Sequence, residues 1–96
     1  MRQEAPPGDE APLCARVALG EAAAFEELYD RHVARVHAHC ARQLGTVQDA
    51  DDLAAMVFLE AWRRRDAVRV VDGSVLPWLL VTATNVARNH RRGLRR

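Results

Sequence analysis

Thr82, Thr84, Asn85, Arg88, Asn89, His90, Arg91 and Arg92 crowd one short stretch near the end of the sequence. Asn and Arg are the side chains best shaped for base edges and phosphates. At helical spacing Thr84, Arg88 and Arg91 share one face, and Asn85, Asn89 and Arg92 share another. The plainer role for such a run is a solvated helix end with Arg placed for the dipole. A second group is Asp49, Asp51 and Asp52. Clustered carboxylates could do acid–base work, but at the start of a helix they have a ready structural job. The histidines are His32, His37, His39 and His90. His37 and His39 stand two apart and so point away from each other on a helix. His32 has no histidine three or four residues away, and no H-E-x-x-H or cysteine pair completes a site. No metal and no cofactor are therefore expected. There is no Gly-rich phosphate loop and no nucleophile elbow, which argues against an enzyme.

The elements that must position these residues are helical. Residues 1–9 hold Pro6, Pro7 and Gly8 and read as a loose arm. Asp9 or Glu10 can cap a short helix that carries Leu13, Val17 and Leu19, tolerates Pro12 in its first turn and stops at Gly20. A long helix is expected from about Glu21 to Leu44. Phe25, Tyr29, Val33, Val36, Cys40 and Leu44, with Leu28 beside them, form its apolar stripe, and Gly45 ends it. Thr46 and Asp49 match a capping box that opens a third helix running to about Arg65. Residues 66–74 read as a loop with Asp72-Gly73-Ser74 as its turn. Ser74 can cap a last helix over about Val75 to Arg92, with Pro77 in its first turn and Gly93 as its stop. Nothing alternates at the period of a strand. The expected fold is all-α: a compact bundle of three long-to-medium helices plus a short N-terminal helix.

The third helix is more apolar than a surface helix should be. Leu53, Met56, Val57, Phe58, Leu59, Ala61 and Trp62 wrap most of its circumference. The stripe through Phe58 and Trp62 can face the core. The remainder is either buried from a second side or is a docking face for another protein. Charge separates the chain in the same way. Residues 1–60 carry five Arg against eleven acids, and residues 61–96 carry nine Arg against two, inside a net charge of only +1. The basic part suits a polyanion. All the cations are Arg, as a GC-rich genome favours, and Arg offers a planar fork to phosphates and bases. Cys14 and Cys40 lack a paired spacing, which fits reduced thiols in a cytoplasm. Residues 1–20 lack the basic-then-apolar pattern of a signal peptide, and no apolar run approaches the roughly 20 residues needed to cross a bilayer.

Three motifs, taken in order, carry a resemblance. Gly20-Glu-Ala-Ala-Ala-Phe25-Glu-Glu-Leu28-Tyr29-Asp-Arg-His resembles the opening helix of region 2 of the extracytoplasmic-function (ECF) sigma factors of RNA polymerase. Ala50-Asp51-Asp52-Leu53 with Val57-Phe58-Leu59-Glu60-Ala61-Trp62-Arg63 resembles that region's central helix. Pro77-Trp78-Leu79, followed by Ala83 and Asn85 and ending in an Arg run, resembles its last helix. The likeness covers about residues 10–92, with residues 93–96 as the start of a linker to a second, −35-reading domain that is expected to be missing. Shortness and few aromatics point to the ECF group rather than to primary sigma factors.

The resemblance implies a non-enzymatic role. Such a domain docks on the β′ clamp helices of core RNA polymerase, opens promoter DNA at the −10 element and holds the non-template strand. It is commonly held inactive by an anti-sigma factor. On this chain the resemblance implies Asp51, Asp52, Leu53 and Met56 for the polymerase. It implies Asn85 and the backbone of Asp72, Gly73 and Ser74 for a pocket that takes one extruded base, beside Asn89. Arg88, Arg91 and Arg92 would hold phosphates. Two departures stand out. Ala55-Met56 replaces the family's usual Gln and acid, exchanging polar for apolar contact. Asn89 stands where an Asp is common, which removes a negative charge beside DNA. A small helical interaction module without DNA-melting activity is the alternative.

Overall fold

The computed structural model describes residues 8–44 and 48–94. Four helices follow one another: α1 (Ala11–Ala18), α2 (Ala22–Leu44), α3 (Ala50–Arg63) and α4 (Leu76–Leu94). Among the described residues the only β feature is an isolated bridge between Val71 and Ser74. No helix there is long and apolar enough to cross a membrane. The arm over residues 1–7, Gly45 and Thr46 lie outside the described residues.

Helix ends show where local chemistry decided. α1 closes on Gly20, whose φ of +87° suits a residue without a Cβ. The Gly20 amide donates to Val17 and the Glu21 amide to Arg16, the double bond of a Schellman motif. Pro12 sits in the first turn, where its missing N–H costs nothing. Asp49 is itself the N-cap of α3 and makes no side-chain cap bond, so α3 starts later than a box at Thr46 would place it. At the other end of α3 the Arg65 guanidinium donates to the Trp62 carbonyl and satisfies one orphan acceptor. Ser74 Oγ accepts the Leu76 amide at 3.0 Å and caps α4 as expected. Gly93 does not stop α4: its backbone stays out of the positive-φ region, and the helix runs on to Leu94.

α2 is the spine. It packs against α1, α3 and α4, and α3 and α4 also pack on each other. Leu28, Val36 and Cys40 of its apolar stripe are buried. Tyr29 leaves the stripe for the surface at 40% exposure, and Ala24 and His32 take its place inside. Leu53, Val57 and Phe58 meet the stripe from α3. Val75, just before α4, and Leu79, Ala83 and Ala87 within it enter at one-turn intervals, the spacing that keeps one face inward. Alanine at Ala50, Ala54, Ala61, Ala83 and Ala87 allows close helix approach, which lets so few aromatics fill the core. Cys14 and Cys40 are free, buried and on different elements.

Candidate functional site

Two apolar faces compete on α3, and the fold covers only one. Leu53, Val57 and Ala61 turn inward; Met56 and Leu59 remain 51% and 64% exposed. Beside them, α2 contributes Ala22, Phe25 and Tyr29 to a groove of about 430 Å³, lined across the way by Ala55, Phe58, Leu59 and Trp62. Its floor is a set of edge-on rings. Phe25 meets Trp62 at 5.1 Å and Phe58 at 6.3 Å, and Tyr29 meets Phe58 at 4.8 Å. Such contacts hold aromatic rings rigid. Asp51 and Asp52, both exposed, stand one turn before Ala55 and Met56 and give the groove an acidic rim. His37 Nε2 lies 2.8 Å from Asp51 Oδ1, which ties that rim to α2. Leu53 does not belong to this face. It is 1% exposed, so its expected contact with a partner gives way to a core role.

The basic side is built by α4 and the end of α3. Glu60, Arg64, Thr82, Asn85, Val86 and Asn89 enclose a polar pocket of about 260 Å³. Asn85 and Asn89, one turn apart, offer amide donors and acceptors to it. Arg64 also lies over the Trp78 ring at 5.7 Å, a cation–π contact that keeps the guanidinium beside the pocket. Glu60 pairs with Arg63 at 3.2 Å. Arg88 and Arg92 are exposed, with no hydrogen bond or ion pair among the described residues. Arg91 differs, because its guanidinium donates to the Gln43 carbonyl at the end of α2, 3.0 Å away. Deeper in, His39 Nε2 meets Thr84 Oγ1 at 2.8 Å, and that hydroxyl donates to the Leu80 carbonyl. Burial and the nearby Arg42 lower the His39 pKa, so the neutral ring is favoured.

The Asp72-Gly73-Ser74 turn is real but lies elsewhere. Asp72 and Gly73 both have positive φ, 52° and 80°. Val71 and Ser74 exchange backbone bonds of 2.8 and 3.1 Å, so this is a two-residue type I′ turn. No residue of the turn lines the polar pocket. Eleven residues of mostly helical rise separate Ser74 from Asn85, roughly 16 Å. The single pocket expected from Asn85 together with the turn is thus two separate surfaces.

Arg64 and Glu60 were not expected as pocket walls, because nothing in their spacing ties them to Asn85 until α4 packs on α3. Nor were Tyr29 and Phe25 expected as groove walls, because their spacing is that of a core stripe. Three of the four histidines turn to different neighbours: His32 to Glu10, His37 to Asp51 and His39 to Thr84. Among the described residues no three His, Cys, Asp or Glu gather as a metal site would require.

The sigma-70 region 2 family matches residues 28–96. The chain is 34% identical over 84 residues to the ECF RNA polymerase sigma factor SigK of Mycobacterium tuberculosis, a match that covers 88% of this chain and 42% of that protein. It is 39% identical over 67 residues to the RNA polymerase sigma factor CarQ of Myxococcus xanthus, covering 69% and 37%. With the ECF RNA polymerase sigma factor BldN of Streptomyces coelicolor it shares 32% identity over 78 residues, covering 81% and 30%. The chain thus spans about two fifths or less of the length of these relatives. No solved structure matches it.

Proposed function

The chain belongs to the sigma-70 region 2 family, and on that premise we propose that it acts in transcription initiation as a non-enzymatic domain with two working faces. The α2–α3 groove docks the β′ clamp helices of core RNA polymerase, with Met56 and Leu59 as apolar contacts and Asp51 and Asp52 at the rim. The α3–α4 face captures the non-template strand of the promoter −10 element. The observation that carries this reading is the pairing, on one small helical body, of an acid-rimmed apolar groove with a polar pocket flanked by uncommitted Arg side chains.

The physics suits strand capture. Extruding a base costs a few kcal/mol, so a pocket must return at least that much. Asn85 and Asn89 can bond a base edge, and Glu60 can accept from an exocyclic amine. Arg88 and Arg92 attract phosphate through counterion release. The turn at 71–74, set apart from Asn85, meets a different nucleotide of the same strand. On the docking side, Met56 and Ala55 exchange polar contacts for hydrophobic area, which makes the interface depend on Leu59 and the aromatic floor. An anti-sigma factor would compete for the same groove.

The test uses a β′ clamp-helix fragment and single-stranded oligonucleotides of −10 type. Asn85→Ala with Asn89→Ala should weaken oligonucleotide binding about ten-fold or more and leave clamp binding unchanged. Met56→Asp with Leu59→Asp should do the reverse. If wild type binds the clamp fragment but no oligonucleotide, the chain is an interaction module without strand capture and this reading fails.

A further inference from the structure

The start of the chain and the 71–74 turn are joined through one residue. Glu10 is only 3% exposed, deep for a carboxylate. Its Oε1 accepts the Val75 amide at 2.9 Å. Both its oxygens lie 2.8–2.9 Å from His32 Nε2, and Oε2 accepts from the Arg31 guanidinium at 3.3 Å. Its own backbone amide donates to the Gly73 carbonyl at 2.8 Å. One residue thus grips the tip of the turn with its main chain and the first amide after the turn with its side chain. Asp9 closes the arrangement, with its Cα 3.7 Å from where a Gly73 Cβ would sit.

A turn held this way is over-determined. Asp-Gly already suits the two positive φ values of a type I′ turn, and the Glu10 contacts add a second constraint from outside it. Burial pushes the Glu10 carboxyl up, but the Val75 amide, His32 and Arg31 outweigh it, and the pKa ends below the ordinary value. The charged form is the one that grips. None of these residues lines the groove or the polar pocket. Glu10 and α1 also precede the segment the family matches.

We propose that Glu10 is a positioning residue for strand recognition: it fixes the 71–74 turn in the shape the turn presents to DNA. This rests on the reading of that turn as promoter-facing. A residue that never meets DNA then sets how selectively the turn reads it.

The experiment is amide hydrogen exchange on the 96-residue chain and its Glu10→Gln variant, paired with selection from a random pool of short single-stranded DNA. Gln can still accept from Val75 but offers Arg31 and His32 no charge. The informative amides are Val71 and Ser74, which bond each other's residues and not Glu10. Their exchange should rise about ten-fold or more while Val36 and Cys40 keep their protection. Sequence enrichment from the pool should flatten while salt-dependent binding persists. Unchanged exchange at Val71 and Ser74, or an equal rise at every amide, overturns the proposal. If wild type enriches no sequence, the promoter-facing reading fails, and the exchange data still decide whether Glu10 holds the turn. Should Glu10→Gln not fold, His32→Gln removes the nearest donor and leaves the carboxylate, and the same selective rise, smaller in size, is expected.

Discussion

Leu53 and Met56 stand three residues apart on α3 and meet opposite surroundings. Leu53 is enclosed, and Met56 is half in water. Truncation should separate them. Leu53→Ala is expected to lower the unfolding free energy by about 2–5 kcal/mol, through lost transfer and an unfilled cavity. Met56→Ala should change it by about 0.5 kcal/mol or less and weaken clamp binding instead. Denaturant unfolding measured beside a binding titration checks both. The two cysteines follow the same logic of enclosure. Burial raises the Cys14 thiol pKa, as does the neighbouring Glu10 charge, and burial alone raises that of Cys40. Both stay protonated and poorly nucleophilic. The Cys14 thiol instead reaches the Val68 carbonyl at 3.7 Å, beneath the loop that leads into the turn.

At the scale of elements, α1 is anchored in the core by Leu13, Cys14 and Val17, and Glu10 at its N-terminus adds a charged attachment that has a pH signature. The folded-state pKa of Glu10 is depressed. Its contribution is therefore fully present above the unfolded Glu value of about 4.3 and is lost as pH falls through the lower folded value. An acid titration of the unfolding midpoint should show wild type losing stability below about pH 4. Glu10→Gln should start lower and decline less over that range. The helices themselves were legible from the sequence, because period, Gly20, Ser74 and Pro12 each carry a local signal. Which face of α3 would be covered was not. Period places residues on a face, but only the arrival of α2 and α4 decides whether Leu53 or Met56 is enclosed. Tyr29 shows the same gap: its spacing is that of the core stripe, yet α3 leaves it at the groove's edge. The distance between Asn85 and the turn was equally hidden, since nearness in a motif says nothing about a roughly 16 Å helical rise.

Over the whole molecule, the division of charge along the chain becomes a division between faces. Asp51 and Asp52 of α3 rim the groove, and the Arg side chains of α4 lie on the side of the polar pocket, with Glu60 as one of its walls. Of the three cations expected to hold phosphates, Arg91 is already committed to the Gln43 carbonyl, which leaves Arg88 and Arg92. Binding of single-stranded DNA should weaken linearly in log affinity against log salt. Arg88→Ala and Arg92→Ala should each make that slope shallower by about 0.7, and Arg91→Ala by less. Equal changes for all three would contradict the assignment.

The stacked Arg–Trp pairs give the molecule two optical reporters. Trp62 lines the groove with Arg65 over its ring at 4.6 Å, and Trp78 lies under Arg64, a wall of the polar pocket. On the proposed reading, a peptide seated in the groove should change the emission of Trp62, and a nucleotide that draws Arg64 aside should uncover Trp78. The two indoles emit in one band, so Trp62→Phe and Trp78→Phe variants, each with one indole left, should report the two faces separately.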